Sequence, residues 1–252
     1  MLNAGPLAIE WEAANVPAIV EAYFPGELGG DAVAAVLLGD VAPAGRLPVT
    51  VYPADYISRN MTDYDLASGH GTTHLYYTGE PLFKFGWGMS YTAFAFQLLL
   101  SDGGADAAAG AGGAHVFTAA GIAAGVEAIG YTVRVTNAGS TASAVAVVAM
   151  LSSDHADAVT HEKFVDFEKT RVLQPGESTV VRLGVAKERL ALIDALGDER
   201  IAAGEYRLRL GGAGSGATRA DDFVRVGFTV SGADTFMWRM SAAKARWEAA
   251  SR

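Results

Sequence analysis

Two hydrophobic patterns divide the chain, and each predicts a different kind of structure. Val16–Phe24 is a largely apolar run with β-branched residues, which is typical of a buried strand. From Phe94 onward the period changes to two, because apolar residues alternate with small or polar ones through Leu100. The first pattern favours a parallel α/β sheet, and the second favours an antiparallel sheet with one face in a core.

The N-terminal pattern continues as one αβ unit. Gly29-Gly30 permits a tight turn after the predicted strand, and Asp31 is a suitable N-cap for a helix over Ala32–Leu38. Gly39 then ends the helix, and Leu47–Val51 begins another strand. Strand, helix and strand in this order predict a fragment of an α/β domain.

The C-terminal pattern is a series of short strands separated by turn residues. This organisation predicts an all-β sandwich of the immunoglobulin or fibronectin III kind. The predicted strands are Tyr131–Thr136, Ala144–Ser152, Phe164–Leu173, Ser178–Val185, Glu205–Leu210 and Phe223–Val230.

Four segments follow from these patterns. Residues 1–55 are the α/β fragment, and residues 56–93 are a long ordered connector rich in Tyr, Gly, Asp and Thr. Residues 94–231 are the β-sandwich, with a flexible Gly/Ala-rich insertion at 103–125. Residues 232–252 are a tail, in which we expect Trp238 and Trp247 to share a helix.

Composition excludes several classes of protein. The 252 residues carry a net charge of −9 with scattered Lys and Arg, which argues against a nucleic-acid partner. No apolar run reaches the roughly 18 residues that a membrane helix needs, so we expect no membrane partner. The absence of cysteine rules out disulfides and thiolate metal sites in this chain.

Several motifs occur in the order of one known family. The chain carries a Tyr-x-Pro-Gly-x-x-Gly-Gly turn from Tyr23 and Gly39-Asp40 at the end of the helix. Gly45-Arg46-Leu47-Pro48 follows, and then Phe85–Phe94 with the sequence FGWGMSYTAF. Together these motifs resemble the C-terminal part of the second domain of glycoside hydrolase family 3, the β-glucosidases and β-xylosidases.

The resemblance extends over about residues 1 to 230. Phe164–Lys169, Leu173–Ser178 and Gly204–Tyr206 are similar to the fibronectin type III-like domain that closes many family members. Tyr52–Leu66 and Tyr76–Gly79 are more similar to the β-xylosidase branch than to the glucosidase branch. The chain departs from that branch at Gly71–Leu75, where two arginines of its usual Gly-Arg-Thr-Tyr-Arg segment are missing.

The resemblance implies glycoside hydrolysis, which uses a carboxylate nucleophile and a carboxyl acid/base. In the family these groups lie in an N-terminal barrel and upstream in the second domain, so we expect no catalytic residue in this chain. Asp102 and Asp154 follow serines, as the family nucleophile does, but lie in a linker and a sandwich loop. Neither aspartate is expected to be catalytic.

Glu27 is the candidate substrate-binding residue. It follows a predicted parallel strand, where ligand sites of α/β sheets gather, and it would lie at the mouth of the sugar pocket. The alternative is a solvated glutamate that favours the helix N-terminus through the helix dipole.

The last expectations concern metals, cofactors and partners. The five histidines show no metal-ligand spacing, and we expect neither a metal nor another cofactor. The resemblance implies an oligosaccharide or polysaccharide substrate, the missing barrel domain as intramolecular partner, and an extracellular location. One alternative function stays open: a non-catalytic β-sandwich module that binds carbohydrate or protein.

Overall fold

The structure, a computed structural model, describes residues 1–101, 115–127, 129–212 and 223–244. Its N-terminal part contains short helices joined by long irregular segments. These helices are α1 (Glu10–Asn15), α2 (Gly29–Leu38), a 3₁₀ helix (Ala54–Ser58) and α3 (Thr73–Tyr76). None of the helices within these ranges is long and apolar enough to span a bilayer.

Helix α2 begins earlier than the sequence predicts. Its N-cap is Leu28, and Asp31 lies in the first turn, so the prediction of Asp31 as N-cap is wrong. Gly29 decides the start, since a Cβ there would overlap the ring of Pro25. Only glycine lets the helix begin so close to the proline. Gly39 is the predicted C-cap, with a left-handed φ of 84°.

The two strands predicted in the N-terminal part have backbone partners at isolated positions only. The Met1 nitrogen donates to the Val20 carbonyl at 2.6 Å, and the Ala22 amide donates to the Met1 carbonyl at 3.0 Å. This is the bonding pattern of a parallel pair around Glu21. Val51 makes an isolated antiparallel bridge with Phe83. Neither segment forms a full strand, because a strand needs a hydrogen-bonded neighbour along its length. The described chain supplies partners only around Glu21 in the first segment, and at Leu47 and Val51 in the second.

The sandwich begins at Phe94 and consists of two main sheets. The first sheet has the order β1-β3-β6, and the second has the order β2-β10-β9-β4-β5. All neighbours are antiparallel except β2 and β10. The strands are β1 (Phe94–Ser101), β2 (His115–Thr118), β3 (Ile129–Asn137), β4 (Ala146–Ser153), β5 (Lys163–Lys169), β6 (Ser178–Val185), β9 (Gly204–Gly212) and β10 (Phe223–Ser231).

The core lies between these sheets. On β3 the residues Ile129, Tyr131, Val133 and Val135 are at most 3% exposed and alternate with more exposed positions, as the period of two predicts. The rings of Tyr206 and Phe228 stack across β9 and β10 with centroids 5.3 Å apart. Desolvation by burial raises the pKa of Tyr206 to about 12, and its hydroxyl donates to the Ala202 carbonyl at 2.9 Å.

Part of the predicted insertion is ordered. Residues 103–114 lie outside the described residues, but His115–Thr118 form β2 and Ala119–Ala124 form helix α4. Ile122 and Phe117 are 2% and 3% exposed and join the core. The expectation of a flexible segment is therefore wrong for residues 115–124, because Phe117 and Ile122 pack into the core.

The tail also differs from expectation. Trp238 lies on β11 (Thr235–Trp238), and residues 240–244 are helical. A small third sheet joins β11 to β8 (Glu199–Ile201) and β7 (Leu192–Ile193), which follow the short helix α5 (Lys187–Leu190). The predicted helix through Trp238 is thus wrong, since pairing with β8 fixes that residue as strand. Trp247 lies outside the described residues.

Candidate functional site

Glu27 lies in the turn that leads into α2. It is exposed, and its side chain makes no hydrogen bond or ion pair with another described residue. The turn places its carboxylate near the N-terminal end of α2, where the helix dipole favours negative charge. The position therefore fits both a contact to a sugar and a solvated glutamate at the helix N-terminus, because the described chain brings no other polar group against the carboxylate.

The acidic residues considered as catalytic candidates do not form a carboxylate pair in the part of the chain that the structure describes. Asp154 is 81% exposed in its side chain and forms an ion pair with Arg207 on β9. A nucleophile needs to face a buried sugar, so this position does not suit one. Asp102 lies outside the described residues. In the ranges that the structure describes, no group of acidic residues and histidines could hold a metal ion.

Two family motifs contact each other directly. The Leu47 amide donates to the Trp87 carbonyl at 2.8 Å, and the Gly86 amide donates to the Leu47 carbonyl at 2.7 Å. Gly88 has to be glycine here, since a Cβ would lie 2.9 Å from the Gly45 carbonyl oxygen. The Gly-Arg-Leu-Pro and Phe-Gly-x-Gly segments are therefore two sides of one backbone contact. Their main role in this chain is structural.

Three tyrosines pack together at the start of the connector and against its helix α3. Tyr52 and Tyr56 stack with centroids 3.8 Å apart, and Tyr77 meets Tyr52 edge-on at 4.9 Å. The Tyr52 hydroxyl accepts a hydrogen bond from the Thr73 amide at 2.6 Å, and Thr73 has a left-handed φ of 59°. This cluster fixes the entry to α3, where the arginines of the β-xylosidase segment are missing. The connector is thus ordered without them.

His161 joins the connector to the sandwich. Its amide donates to the Leu75 carbonyl at 3.0 Å, and its Nε2 lies 2.7 Å from the Tyr77 carbonyl oxygen. Both carbonyls belong to the end of α3, whose last carbonyls lack partners within the helix. His161 is exposed in the loop between β4 and β5, and the sequence analysis missed this contact. No local pattern reveals it, because the residues are more than 80 positions apart.

An aromatic contact reinforces the same junction. The His74 ring stacks on Phe85 at 4.1 Å, and Phe85 meets Phe164 of β5 edge-on at 6.0 Å. Phe85 and Phe164 pack against Val148 and Met150 of β4. Burial, and next the charge of the neighbouring His161, lower the pKa of His74. Phe85 is therefore a packing residue between the two parts of the chain.

The other signature aromatics have separate roles. Phe94 is 8% exposed in the sandwich core. Tyr91 is 48% exposed, so its ring is only partly packed. Its hydroxyl instead donates to the Val36 carbonyl at 2.7 Å and ties the signature to α2. Trp87 packs against Phe83 within the N-terminal part, with centroids 5.6 Å apart.

A cleft of about 470 Å³ opens between the connector and the sandwich. Its lining mixes charges of both signs with hydroxyl and aromatic groups, and includes Tyr77, Glu80, Lys84, Ser152, His161 and Arg209. Arg209 is engaged by both oxygens of Glu162, with Nε 3.0 Å from each. The cleft therefore lies at the junction of the two parts and does not include Glu27.

Two known domain families match the two parts of the chain, in the order that the sequence predicted. The glycosyl hydrolase family 3 C-terminal domain matches residues 1–91. A fibronectin type III-like domain matches residues 152–213. The fold is accordingly an α/β C-terminal domain followed by a fibronectin type III-like β-sandwich.

Curated relatives include β-xylosidases from a fungus and a bacterium. An exo-1,4-β-xylosidase of Emericella nidulans is 30% identical over 210 residues, covering 78% of this chain and 25% of the relative. A β-xylosidase of Formosa agariphila is 28% identical over 236 residues, covering 91% of this chain and 29% of the relative. The chain thus spans between a quarter and a third of the length of these relatives.

Solved structures share the fold. A family 3 exo-β-xylosidase, solved in complex with a xylobiose aziridine activity-based probe, superposes with a TM-score of 0.78 at 24% identity, over 95% of this chain and 31% of that one. A β-glucosidase from Thermotoga neapolitana, solved in complex with glycerol, gives a TM-score of 0.70 at 23% identity, over 94% and 32%. The chain therefore belongs to glycoside hydrolase family 3 and corresponds to the C-terminal part of its enzymes, similar first to β-xylosidases and next to β-glucosidases.

Proposed function

We propose that this chain is the non-catalytic C-terminal part of an exo-acting β-xylosidase, and that it supports a catalytic part supplied by the rest of the enzyme. The substrate would be an oligosaccharide or polysaccharide that carries a terminal xylose. The curated relatives support the xylosidase assignment. The observation that carries the supporting role is a set of large exposed apolar side chains in the N-terminal part.

These exposed side chains lie on α1, α2 and the turn before α2, and together they are called the apolar face. The exposed fractions are 67% for Trp11, 76% for Phe24, 68% for Leu28, 67% for Leu37 and 78% for Leu38. Proteins that fold alone rarely expose many large apolar groups together, and such a surface marks an interaction site. Full burial of each group would contribute roughly 1.5 to 3 kcal/mol. The face therefore suits a permanent intramolecular partner.

The backbone around Glu21 supports the same partner. Met1 pairs with this segment in the parallel pattern, whereas the apolar residues before it, beginning at Val16, have no ladder partner in the described chain. Further parallel strands of an α/β domain would extend this pairing and cover the apolar face. The nucleophile and the acid/base would then come from that upstream part, and this chain would hold the surrounding domain in shape.

A chimaeric enzyme tests the proposal. The chain would replace the matching C-terminal part of the Formosa agariphila β-xylosidase, and hydrolysis of nitrophenyl xyloside would be measured. We expect the chimaera to be active, while the 252-residue chain alone shows no turnover because it lacks both carboxylates. Leu37→Asp on the apolar face should abolish the chimaera's activity, because burying an unpaired charge is strongly unfavourable.

Val180→Asp is the matched control. Val180 is 54% exposed on β6 of the sandwich, away from α2, so the same substitution there should leave activity unchanged. Equal loss of activity in both variants, or xyloside hydrolysis by the chain alone, would overturn the supporting role. Sugar binding by the chain alone, together with an inactive and well-folded chimaera, would favour the carbohydrate-binding module instead.

Glu27 is the residue of this chain that we propose to test as a sugar contact in the chimaera. A contact to the sugar predicts that Glu27→Gln raises KM for the xyloside while the melting temperature stays constant. A role limited to the dipole of α2 predicts an unchanged KM and a loss of at most about 1 kcal/mol of stability. Glu12→Gln, in the first turn of α1, controls for loss of charge at a helix start.

A further inference from the structure

The loop around Asn60 brings two hydrogen-bond donors onto one amide oxygen. The Thr62 amide donates to Oδ1 of Asn60 at 3.0 Å, and the Thr62 hydroxyl donates to the same oxygen at 2.9 Å. Asn60-Met61-Thr62 is the only Asn-x-Ser/Thr tripeptide among the four asparagines of the chain. The sequence pattern alone is common by chance, but the contact between the hydroxyl and the amide is a structural property of this one site.

This contact changes the chemistry of the Asn60 amide. An amide nitrogen is a poor nucleophile, because its lone pair is delocalised into the carbonyl. Two donors at Oδ1 stabilise negative charge on the oxygen, so Nδ2 loses a proton more easily to an external base. Nδ2 itself donates no hydrogen bond to any other residue in the described part of the chain. It is therefore available to react.

The loop also presents Asn60 outward. The neighbouring side chains of Met61 and Tyr64 are each 90% exposed, and Ile57 is 88% exposed. Arg59 stabilises the loop, because its Nη2 donates to the Asp65 carbonyl at 2.7 Å. The Asp63 amide closes the turn by donating to the Asn60 carbonyl at 3.1 Å. A large enzyme can thus reach Nδ2 without displacing packed side chains.

We propose that Asn60 is an N-glycosylation site. Nδ2 attacks the anomeric carbon of a lipid-linked oligosaccharide, and a new C–N bond forms as the bond between that carbon and the lipid diphosphate oxygen breaks. The lipid diphosphate leaves with the electron pair of that bond, and a base of the transferase takes the proton from Nδ2.

This modification is independent of the proposed function, and its test has no activity readout. The full chain would be expressed in yeast behind a secretory leader, with a carrier tag that has its own glycosylated sequon. Peptide mass spectrometry before and after peptide-N-glycosidase treatment would locate the glycan. We expect a glycan at Asn60, and treatment should leave an aspartate at that position.

Three variants separate the chemistry from folding. Asn60→Gln and Thr62→Val should both lose the glycan, whereas Thr62→Ser, which keeps the hydroxyl, should retain it at least in part. Circular dichroism of each variant shows whether the fold is preserved. A secreted, folded chain whose tag is glycosylated but whose Asn60 is bare would overturn the proposal. Equal occupancy in Thr62→Val and the unchanged chain would overturn it as well.

Discussion

His161 lies on the sandwich and places its Nε2 2.7 Å from the backbone carbonyl oxygen of Tyr77 on the connector. Its own amide holds the Leu75 carbonyl two residues earlier. One residue thus satisfies two carbonyls at the end of α3. The orientation of the connector against the sandwich depends on these two bonds and on the ring contacts of Phe85.

We expect His161→Ala to loosen the connector while the sandwich stays folded. Loss of the side-chain bond should cost about 1 kcal/mol, since a typical hydrogen bond contributes about 0.5 to 1.5 kcal/mol net. Limited proteolysis should show faster cleavage within residues 66–80. His70→Ala is the control, because the His70 side chain is exposed and makes no such contact. Equal cleavage rates in the two variants would contradict the role of His161.

Phe85→Ala should destabilise the fold by about 3 kcal/mol, at the lower end of the range for phenylalanine truncations, because the ring is only partly buried. The loss has two sources: contacts with Phe164 and the stacked His74 ring. Urea unfolding measures the change. Tyr64→Ala, at a ring that is 90% exposed, should change stability by less than about 0.5 kcal/mol. A stable Phe85→Ala chain would show that the ring is not a packing residue.

The lowered pKa of His74 predicts that the stability of the fold depends on pH. Burial and the charge of His161 lower its pKa in the folded chain below the unfolded value of 6.5. The unfolded chain therefore binds more protons in this range, so the contribution of His74 is complete above pH 6.5 and is lost as the pH falls below it.

Urea midpoints at pH 7, 6 and 5 would measure this trend, and His74→Phe should flatten it while keeping the stack on Phe85. Glu80, Lys84 and Glu162 also line the adjoining cleft and stay unchanged in the comparison. An identical pH profile in the unchanged chain and in His74→Phe would exclude His74 as the source.

Arg200 should be essential for the stability of the C-terminal end of the sandwich. Its side chain is 11% exposed and contacts Asp157, Asp194 at 3.2 Å and Asp234 at 2.8 Å. Arg200→Met would leave three carboxylates together without their cation, and we expect a loss of about 3 to 5 kcal/mol at pH 7.

The loss should shrink at pH 4. The Ala203 amide and the Arg200 guanidinium hold the pKa of Asp234 low, so without Arg200 this carboxyl takes up a proton more easily. Arg207→Met removes the exposed ion pair with Asp154 and should cost less than about 1 kcal/mol. Thermal unfolding of both variants at the two pH values would check this. Similar losses in both variants would refute the importance of the Arg200 cluster.

The sequence by itself determined the elements that depend on local pattern. Ser178–Val185 is β6 with the predicted bounds, and Gly39 ends α2 as predicted. Alternation identifies a strand with one buried face, and glycine in the left-handed region identifies a helix end, so neither needs distant residues. Family motifs likewise indicated the α/β fragment and the sandwich.

Only the tertiary structure decided the elements that depend on distant partners. Val16–Phe24 is apolar enough for a strand but pairs only around Glu21, whereas Trp238 becomes strand because β8 lies beside it. Residues 115–124 order because Phe117 and Ile122 reach the core. His161 contacts Tyr77 across 84 positions. Pairing, burial and such contacts are properties of chain segments brought together by folding, and a local pattern does not contain them.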